Sequence, residues 1–324
     1  MPRNHPNVSR RSVLAAASLA IPLLARAQAY PAQPVRIVVP YPAGGGADAV
    51  ARMLAQHMSI GVGQSFVVEN RPGASGIIGN DYVAKSAKDG YTLLYVGMPF
   101  ALSPALVAKL PYRTVEDFSP VGLICTVPTL LVVDANLPIK SVADLLSYAK
   151  AKGHISYGYG SSTAQIGGAA LTNVNKLNAT GVGYKSSTLA LTDVVGGQTA
   201  FMFIDIGASQ ALVQAGRVRP IAVANEERSA LVPDLPPIAA TPGMAGFELT
   251  GWASMAGPVG MPAEIVNRLN AEMNRILKRK DINDKLLGIG CEVATTTPDE
   301  FGRYIQKQIA SYAQKVREAG VQPQ

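Results

Sequence analysis

A short apolar strand followed by a glycine-rich turn and a helix recurs along this chain, and no other feature restricts its possible folds as much. Val35-Arg36-Ile37-Val38-Val39 is a β-branched run that reads as a buried strand. It leads through Pro40 and Pro42 to three successive glycines, Gly44 to Gly46, and then to Val50, Leu54 and Met58 at helical spacing. Ser65–Glu69 repeats the strand, Asn70–Gly76 the turn and Ile77–Ser86 the helix, and Tyr91–Val96 opens a third unit. Repetition at this interval predicts a parallel sheet in an α/β domain, because parallel strands need a helical crossover.

From about Val121 the series starts afresh. Strands at Leu130–Val133, Ile155–Tyr159, near Val182, at Ala200–Ile204 and at Ile221–Ala224 alternate with helices at Val142–Ala151, through Ala170 and at Leu189–Val195. A second α/β domain is expected, and 324 residues suffice for two domains of about 150. Pro233, Pro236, Pro237, Pro242 and Pro258 mark extended crossing segments. Two closing helices, one starting near Pro262 and one spanning Pro298–Glu318, read as packing elements.

Charge narrows the partners. The formal net charge of +7 suggests an anionic surface, yet four arginines (Arg3, Arg10, Arg11, Arg26) fall in the first 27 residues with no acid among them. Taking those four from the 29 Lys and Arg leaves 25 against 22 acids, a net +3. The largest remaining basic cluster is Lys278-Arg279-Lys280, at the end of an expected helix where cations suit the dipole. No basic stripe with interleaved aromatics is present, so nucleic-acid binding is not expected.

Ser9-Arg10-Arg11-Ser12-Val13-Leu14 has the twin-arginine pattern, followed by the apolar stretch Val13–Ala25 and an A-x-A exit at Ala25-Arg26-Ala27. That stretch is shorter than the roughly 20 residues of a membrane span. Residues 1–27 therefore read as a signal peptide that places the mature protein in an exported, oxidising compartment. There Cys125 and Cys291 either pair or remain two buried thiols. Two Cys and three His cannot build a cysteine-rich scaffold or a Cys/His zinc cluster, so no metal site is expected.

The glycine loop admits two chemistries. Gly44-Gly45-Gly46-Ala47-Asp48-Ala49 satisfies G-x-G-x-x-A after a strand, with Glu69 at the spacing that binds a ribose in dinucleotide enzymes. An exported nicotinamide-dependent oxidoreductase is the alternative reading on that match. Against it, Pro40 and Pro42 hold the chain extended where a dinucleotide turn leaves its strand directly. The simpler reading is an anion site: small residues admit ligand atoms to the backbone, and the next helix offers unpaired N–H groups and a positive dipole end. With no Lys or Arg in the loop, a carboxylate fits better than a phosphate. Asp48 then reads as the helix N-cap.

Catalytic groups are scarce. Beyond the leader only His57 and His154 remain, and neither G-x-S-x-G nor H-E-x-x-H occurs. Ser161, Ser162 and Thr163 follow a strand, where open α/β sheets place ligands, but with no adjacent base they are hydrogen-bonding groups rather than nucleophiles. Asp205 ends another strand and either meets a ligand's ammonium or hydroxyl or caps the next helix. The chain is expected to bind rather than react, with no cofactor.

Tyr41-Pro42-Ala43-Gly44-Gly45-Gly46-Ala47-Asp48 after Pro40, Asn70-Arg71-Pro72-Gly73-Ala74-Ser75-Gly76, Asp89-Gly90-Tyr91-Thr92-Leu93, Gly196-Gly197-Gln198, Pro233-Asp234-Leu235-Pro236 and the prolines of Pro258-x-Gly260-x-Pro262 occur in order along nearly the whole mature chain. Together they resemble the tripartite tricarboxylate transporter receptors, the Bug family. The resemblance implies an α/β fold of the two-lobed periplasmic binding protein type (type II), with a cleft between lobes. Residues 28–122 and 246–324 would form the first lobe and 123–245 the second. The protein would be a monomer that closes over a small carboxylated ligand and delivers it to membrane transporter subunits or a sensor kinase.

By the same resemblance, Tyr41 to Asp48 would hold the ligand carboxylate through backbone N–H groups and ordered water. Gly160 to Thr163 would face it from the other lobe. Tyr184 and Asp205 would meet the variable end, and Ala74 and Ser75 would line the cleft from Asn70–Gly76. Two departures fall near the variable end. Gln165-Ile166-Gly167-Gly168 stands where the family usually has a His, and Tyr184-Lys185-Ser186 where Tyr-Lys-Gly is frequent.

Overall fold

The computed structural model describes residues 30–318 and 320; the leader reading of residues 1–27 lies outside the described residues. Two sheets divide the chain. In the first, β1 (Val35–Val39), β2 (Phe66–Asn70) and β3 (Thr92–Gly97) run parallel, joined by α1 (Gly46–Val62) and α2 (Ile77–Ala84). Val35, Ile37 and Val39 enter one core and Val38 the opposite one, so apart from the exposed Arg36 the strand is buried on both faces rather than alternating. The short helix α3 (Met98–Leu106) leaves β3 directly, and β4 (Phe118–Val127) then carries the chain to the second lobe.

The second sheet contains β5 (Thr129–Asp134), β6 (Ile155–Tyr159), β7 (Ala179–Gly183), β8 (Phe201–Asp205) and β9 (Val218–Val223), in the order β7-β6-β8-β5-β9. Helices α4 (Val142–Lys152), α5 (Ser162–Val174), α6 (Ser187–Val195) and α7 (Ile206–Gln214) connect them. An extended segment then returns to β10 (Gly251–Pro258), which inserts between β3 and β4 of the first sheet. The helices α8 (Ala263–Leu277) and α9 (Lys280–Gly288), the edge strand β11 (Glu292–Val293) and the long helix α10 (Pro298–Glu318) complete the first lobe. On α8, Val266, Leu269, Met273, Ile276 and Leu277 are buried, the face that their spacing predicts.

Two findings depart from the sequence reading, and a third decides an alternative that it left open. Both sheets are mixed: β10 is antiparallel to β3 and β4, and β5 is antiparallel to β8 and β9. A strand arriving from the other lobe has no helical crossover to fix its direction, so the parallel rule stops at the crossings. The crossings also fall slightly later than 122/123 and 245/246. β4 stays in the first sheet to Val127, and Phe247 and Leu249 still pack in the second core. Finally, Cys125 and Cys291 are free thiols, both buried in the first lobe and within hydrogen-bonding reach of each other.

The lobes touch beside the crossings. Ile166 of α5 is buried among Phe100, Trp252 and Ile305 of the first lobe. Asn173 on the same helix donates to the Glu318 carbonyl at the end of α10.

Candidate functional site

A cavity of about 330 Å³ opens between the lobes, lined from both. Its position follows from the topology, because the carboxyl ends of β1, β3, β6 and β8 all face it. The volume lies at the small end of ligand pockets, which span roughly 300–1,000 Å³.

The first lobe contributes Tyr41, Ala47, Tyr95, Gly97, Met98 and Trp252. Pro40 and Pro42 keep the chain extended after β1, and Gly44 turns it at φ +82°, a conformation that favours glycine. Helix α1 then begins with Gly45 as its N-cap, whose lack of a side chain leaves the first turn uncapped at that residue. The first intrahelical bond runs from the Ala49 N–H to the Gly45 carbonyl, at 3.0 Å. The N–H groups of Gly46, Ala47 and Asp48 precede it, and Ala47 lines the cavity.

Asp48 is therefore not the N-cap that its sequence context suggests. It lies in the first turn and reaches back, accepting from the Gly44 N–H at 3.0 Å, from Arg52 Nε at 2.9 Å and from Asn70 Nδ2 at 2.9 Å. Those bonds, led by the one from Arg52, hold its pKa down to about 2. Asp48 thus fixes the loop from behind, pinning the glycine turn to α1 and to the end of β2.

Tyr41 packs edge-on against Tyr95, with ring centroids 6.4 Å apart, and burial raises the pKa of both phenols. At neutral pH they stay uncharged and offer O–H groups.

The second lobe presents helix N-termini. Ser161 caps α5 by accepting from the Ala164 N–H, and Ser186 caps α6 by accepting from the Leu189 N–H. Ser161, Thr163 and Ser187 line the cavity. Thr163 Oγ1 reaches across to Met98 Sδ at 3.5 Å, so the hydroxyl cluster spans the cleft.

Asp205 ends β8 and occupies the N-cap position of α7, yet its side chain makes no capping bond. It lines the cavity, open to the cleft and enclosed by protein elsewhere, and this enclosure raises its carboxyl pKa. Among the described residues it is the one charged side chain on the cavity wall. Thr129 stands directly opposite it across the β5–β8 pair.

The sequence-derived residues thus separate into groups. Tyr41, Ala47, Ser161, Thr163 and Asp205 line the central cavity. Ser75 and Ser162 line an adjoining one of about 260 Å³ that shares Tyr41, Met98 and Thr163. Ala43, Gly44, Gly45, Gly46, Asp48 and Ala74 form the loops behind these walls and touch neither cavity. Tyr184 lies off the wall: its hydroxyl donates to Asp193 at 2.7 Å and its N–H to the Tyr159 carbonyl at 2.8 Å.

Sequence reasoning missed Tyr95, Gly97, Met98, Thr129, Ser187 and Trp252. The strand ending in Gly97-Met98-Pro99 carried a usable signal, a glycine between strand and helix with proline in the first turn. Glu69 is paired with Arg36 and Arg71 and does not line the cavity. The dinucleotide match has no counterpart in the site.

The family model described as "Tripartite tricarboxylate transporter family receptor" matches residues 50–321. Protein BugT of Bordetella pertussis is 33% identical over 314 residues, covering 95% of this chain and 95% of the relative. Among solved structures, R. palustris Rpa4515 with adipate is 35% identical with a TM-score of 0.77, covering 91% of this chain and 100% of the other. The periplasmic binding protein BugD is 30% identical with a TM-score of 0.73, covering 91% of this chain and 100% of that structure.

Proposed function

We propose, from the premise that this chain belongs to the tripartite tricarboxylate transporter receptor family, that it captures a small organic carboxylate in the cleft between its lobes. Membership makes it a solute-binding protein and not an enzyme, which disposes of the oxidoreductase alternative. In this reading the mature protein is a periplasmic monomer, exported through its twin-arginine leader, that closes on its ligand and passes it to the membrane subunits of the transporter. The family assignment favours a transporter over a sensor kinase as the recipient.

The observation that carries the reading is the uncapped N-terminus of α1 at the cavity wall, held in place by Asp48, in a cleft that no Lys, Arg or His lines among the described residues. A carboxylate there takes its hydrogen bonds from backbone N–H groups and its charge compensation from the helix dipole. The hydroxyls of Ser161, Thr163 and Tyr41 close around it.

Calorimetric titration with mono- and dicarboxylates of two to eight carbons tests this, using Ala47→Asp as the control. The substituted carboxylate sits in the first helical turn, where acids are tolerated, and competes for the same N–H groups. Saturable 1:1 binding that falls at least tenfold in the variant, with the melting temperature retained, is the expected result. Absence of binding across the panel overturns the reading.

A further inference from the structure

Two thiols that ligand binding does not use lie at a joint between the lobes. Cys125 on β4 is fully buried, and Cys291, immediately before β11, is 6% exposed. Val293 is the direct partner of Cys125 across the β11–β4 pair. Cys291 is two residues from Val293 and buried in the same core as Cys125, which makes it the diagonal neighbour of Cys125 on that face.

The residues on either side of Cys291 hold the second lobe. Glu292 Oε1 accepts from the Ser229 hydroxyl at 2.6 Å and from the Leu231 N–H at 3.0 Å, and the next residue, Val232, packs against the second-lobe core. Before Cys291, the turn at Ile289 and Gly290 meets the start of α7. A Cβ on Gly290 would stand 3.3 Å from the Gly207 nitrogen, and one on Gly207 would stand 3.5 Å from the Ile289 carbonyl oxygen. Residues 289–292 of the first lobe therefore grip the second at two points, with Cys291 between them.

We propose that Cys125 and Cys291 are a redox pair whose disulfide loosens this grip. Diagonal neighbours have Cα atoms about 7–8 Å apart and a disulfide spans about 4.4–6.8 Å, so the bond draws Cys291 towards β4 by roughly 1 Å. Alternation puts the Glu292 side chain on the face opposite Cys291, so the same movement withdraws Glu292 from Ser229 and Leu231. An exported, oxidising compartment supplies the oxidant, a low-molecular-weight disulfide. Cys291 is the attacking thiol, since it is the more exposed of the two and the hydrogen bond from Cys125 lowers its pKa. Its thiolate attacks one sulfur of the oxidant and expels the other as a thiolate, leaving a mixed disulfide on Cys291. Cys125 then attacks the Cys291 sulfur and expels the second thiolate. Two electrons pass to the oxidant, and the two protons lost by the cysteines end on the two expelled thiols.

The test compares the folded, ligand-free protein in oxidised and in reduced glutathione. Intact mass and thiol titration follow the bond, and amide hydrogen exchange at Leu231 follows the grip. In oxidised glutathione the protein should lose two hydrogens and both free thiols, and the Leu231 amide should exchange at least tenfold faster. Reductant should reverse all three changes. Cys291→Ser, its fold checked by circular dichroism, should exchange Leu231 at one rate in both buffers.

Thiols that persist in oxidised glutathione overturn the proposal, as does a glutathione adduct that Cys125 never resolves. A disulfide that leaves Leu231 exchange unchanged or slower overturns the loosened grip, and so does an equal response in Cys291→Ser. None of these readouts uses a ligand, so the carboxylate reading of the cleft stands or falls separately.

Discussion

The Asp48 carboxylate is fully engaged, and its bonds connect the sequence to the site. It holds the Gly44 N–H, Arg52 and Asn70 at once, so that one side chain sets the glycine turn, the first turn of α1 and the end of β2. The folded pKa, about 2, lies below the usual 3.8, so the carboxylate stabilises the fold fully above about pH 4. That contribution fades as pH falls from about 4 towards 2. Asp48→Asn should lower the melting temperature at pH 7, and melts between pH 2 and 5 should show the gap to wild type closing towards the acid end. A pH-independent gap would mean that the charge of Asp48 contributes nothing. The sequence placed this residue at the correct helix end and in the wrong role. An N-cap and a first-turn residue that reaches back lie only three positions apart, and only the φ of Gly44 and the start of the ladder at Gly45 decide between them. Asp205 was harder still, since its position at a strand end fits a cap or a cleft contact equally well.

At the scale of elements, the loops that join strand to helix were the legible part. β1, β2 and β6 and their following helices lie close to where apolar runs and Gly-rich turns put them. β10 was hidden because Gly251-Trp252-Ala253-Ser254-Met255-Ala256-Gly257-Pro258 is rich in residues of low strand propensity and is buried along nearly its whole length, which removes the alternation. α3 was hidden by Pro99 and Pro104, one in its first turn and one inside it. Met98 and Trp252, which line the cavity, sit where these unread elements begin. Packing between elements makes its own prediction at Gly160, the turn between β6 and α5. A Cβ there would collide with the Ser187 N–H and the Ser186 carbonyl at the N-terminus of α6. Those atoms are backbone and cannot rotate away, so Gly160→Ala must push α6 off β6. Overpacking of this kind typically costs about 1–3 kcal/mol. Urea denaturation should register that loss, with weaker ligand binding because Ser161 and Ser187 part company. An unchanged midpoint would show that the turn relaxes freely.

For the whole molecule, the length predicted two domains, but the crossings that join them depend on contacts far apart in sequence. β4 ends in one sheet and β5 begins in the other with only Pro128 between, and β10 returns into the middle of the first sheet rather than to its edge. The crossings at Val127–Thr129 and at Gly251 border the cavity, and two such adjacent tethers suit the hinge closure proposed for this chain. Ile166 bears on that motion. It belongs to α5 of the second lobe but is 2% exposed within a first-lobe core beside Phe100 and Trp252. Truncating a buried Ile to Ala generally costs about 2–5 kcal/mol, and here the lost contacts hold lobe to lobe rather than one lobe together. Ile166→Ala should accordingly lower the stability of the closed arrangement more than that of either lobe. Small-angle X-ray scattering of the ligand-free variant should give a larger radius of gyration than wild type, and saturating ligand should bring the two together. Affinity should fall, because ligand binding must then supply the closure energy that Ile166 provided. Equal radii of gyration without ligand, accompanied by an unchanged affinity, would mean that α5 does not govern the opening of the cleft.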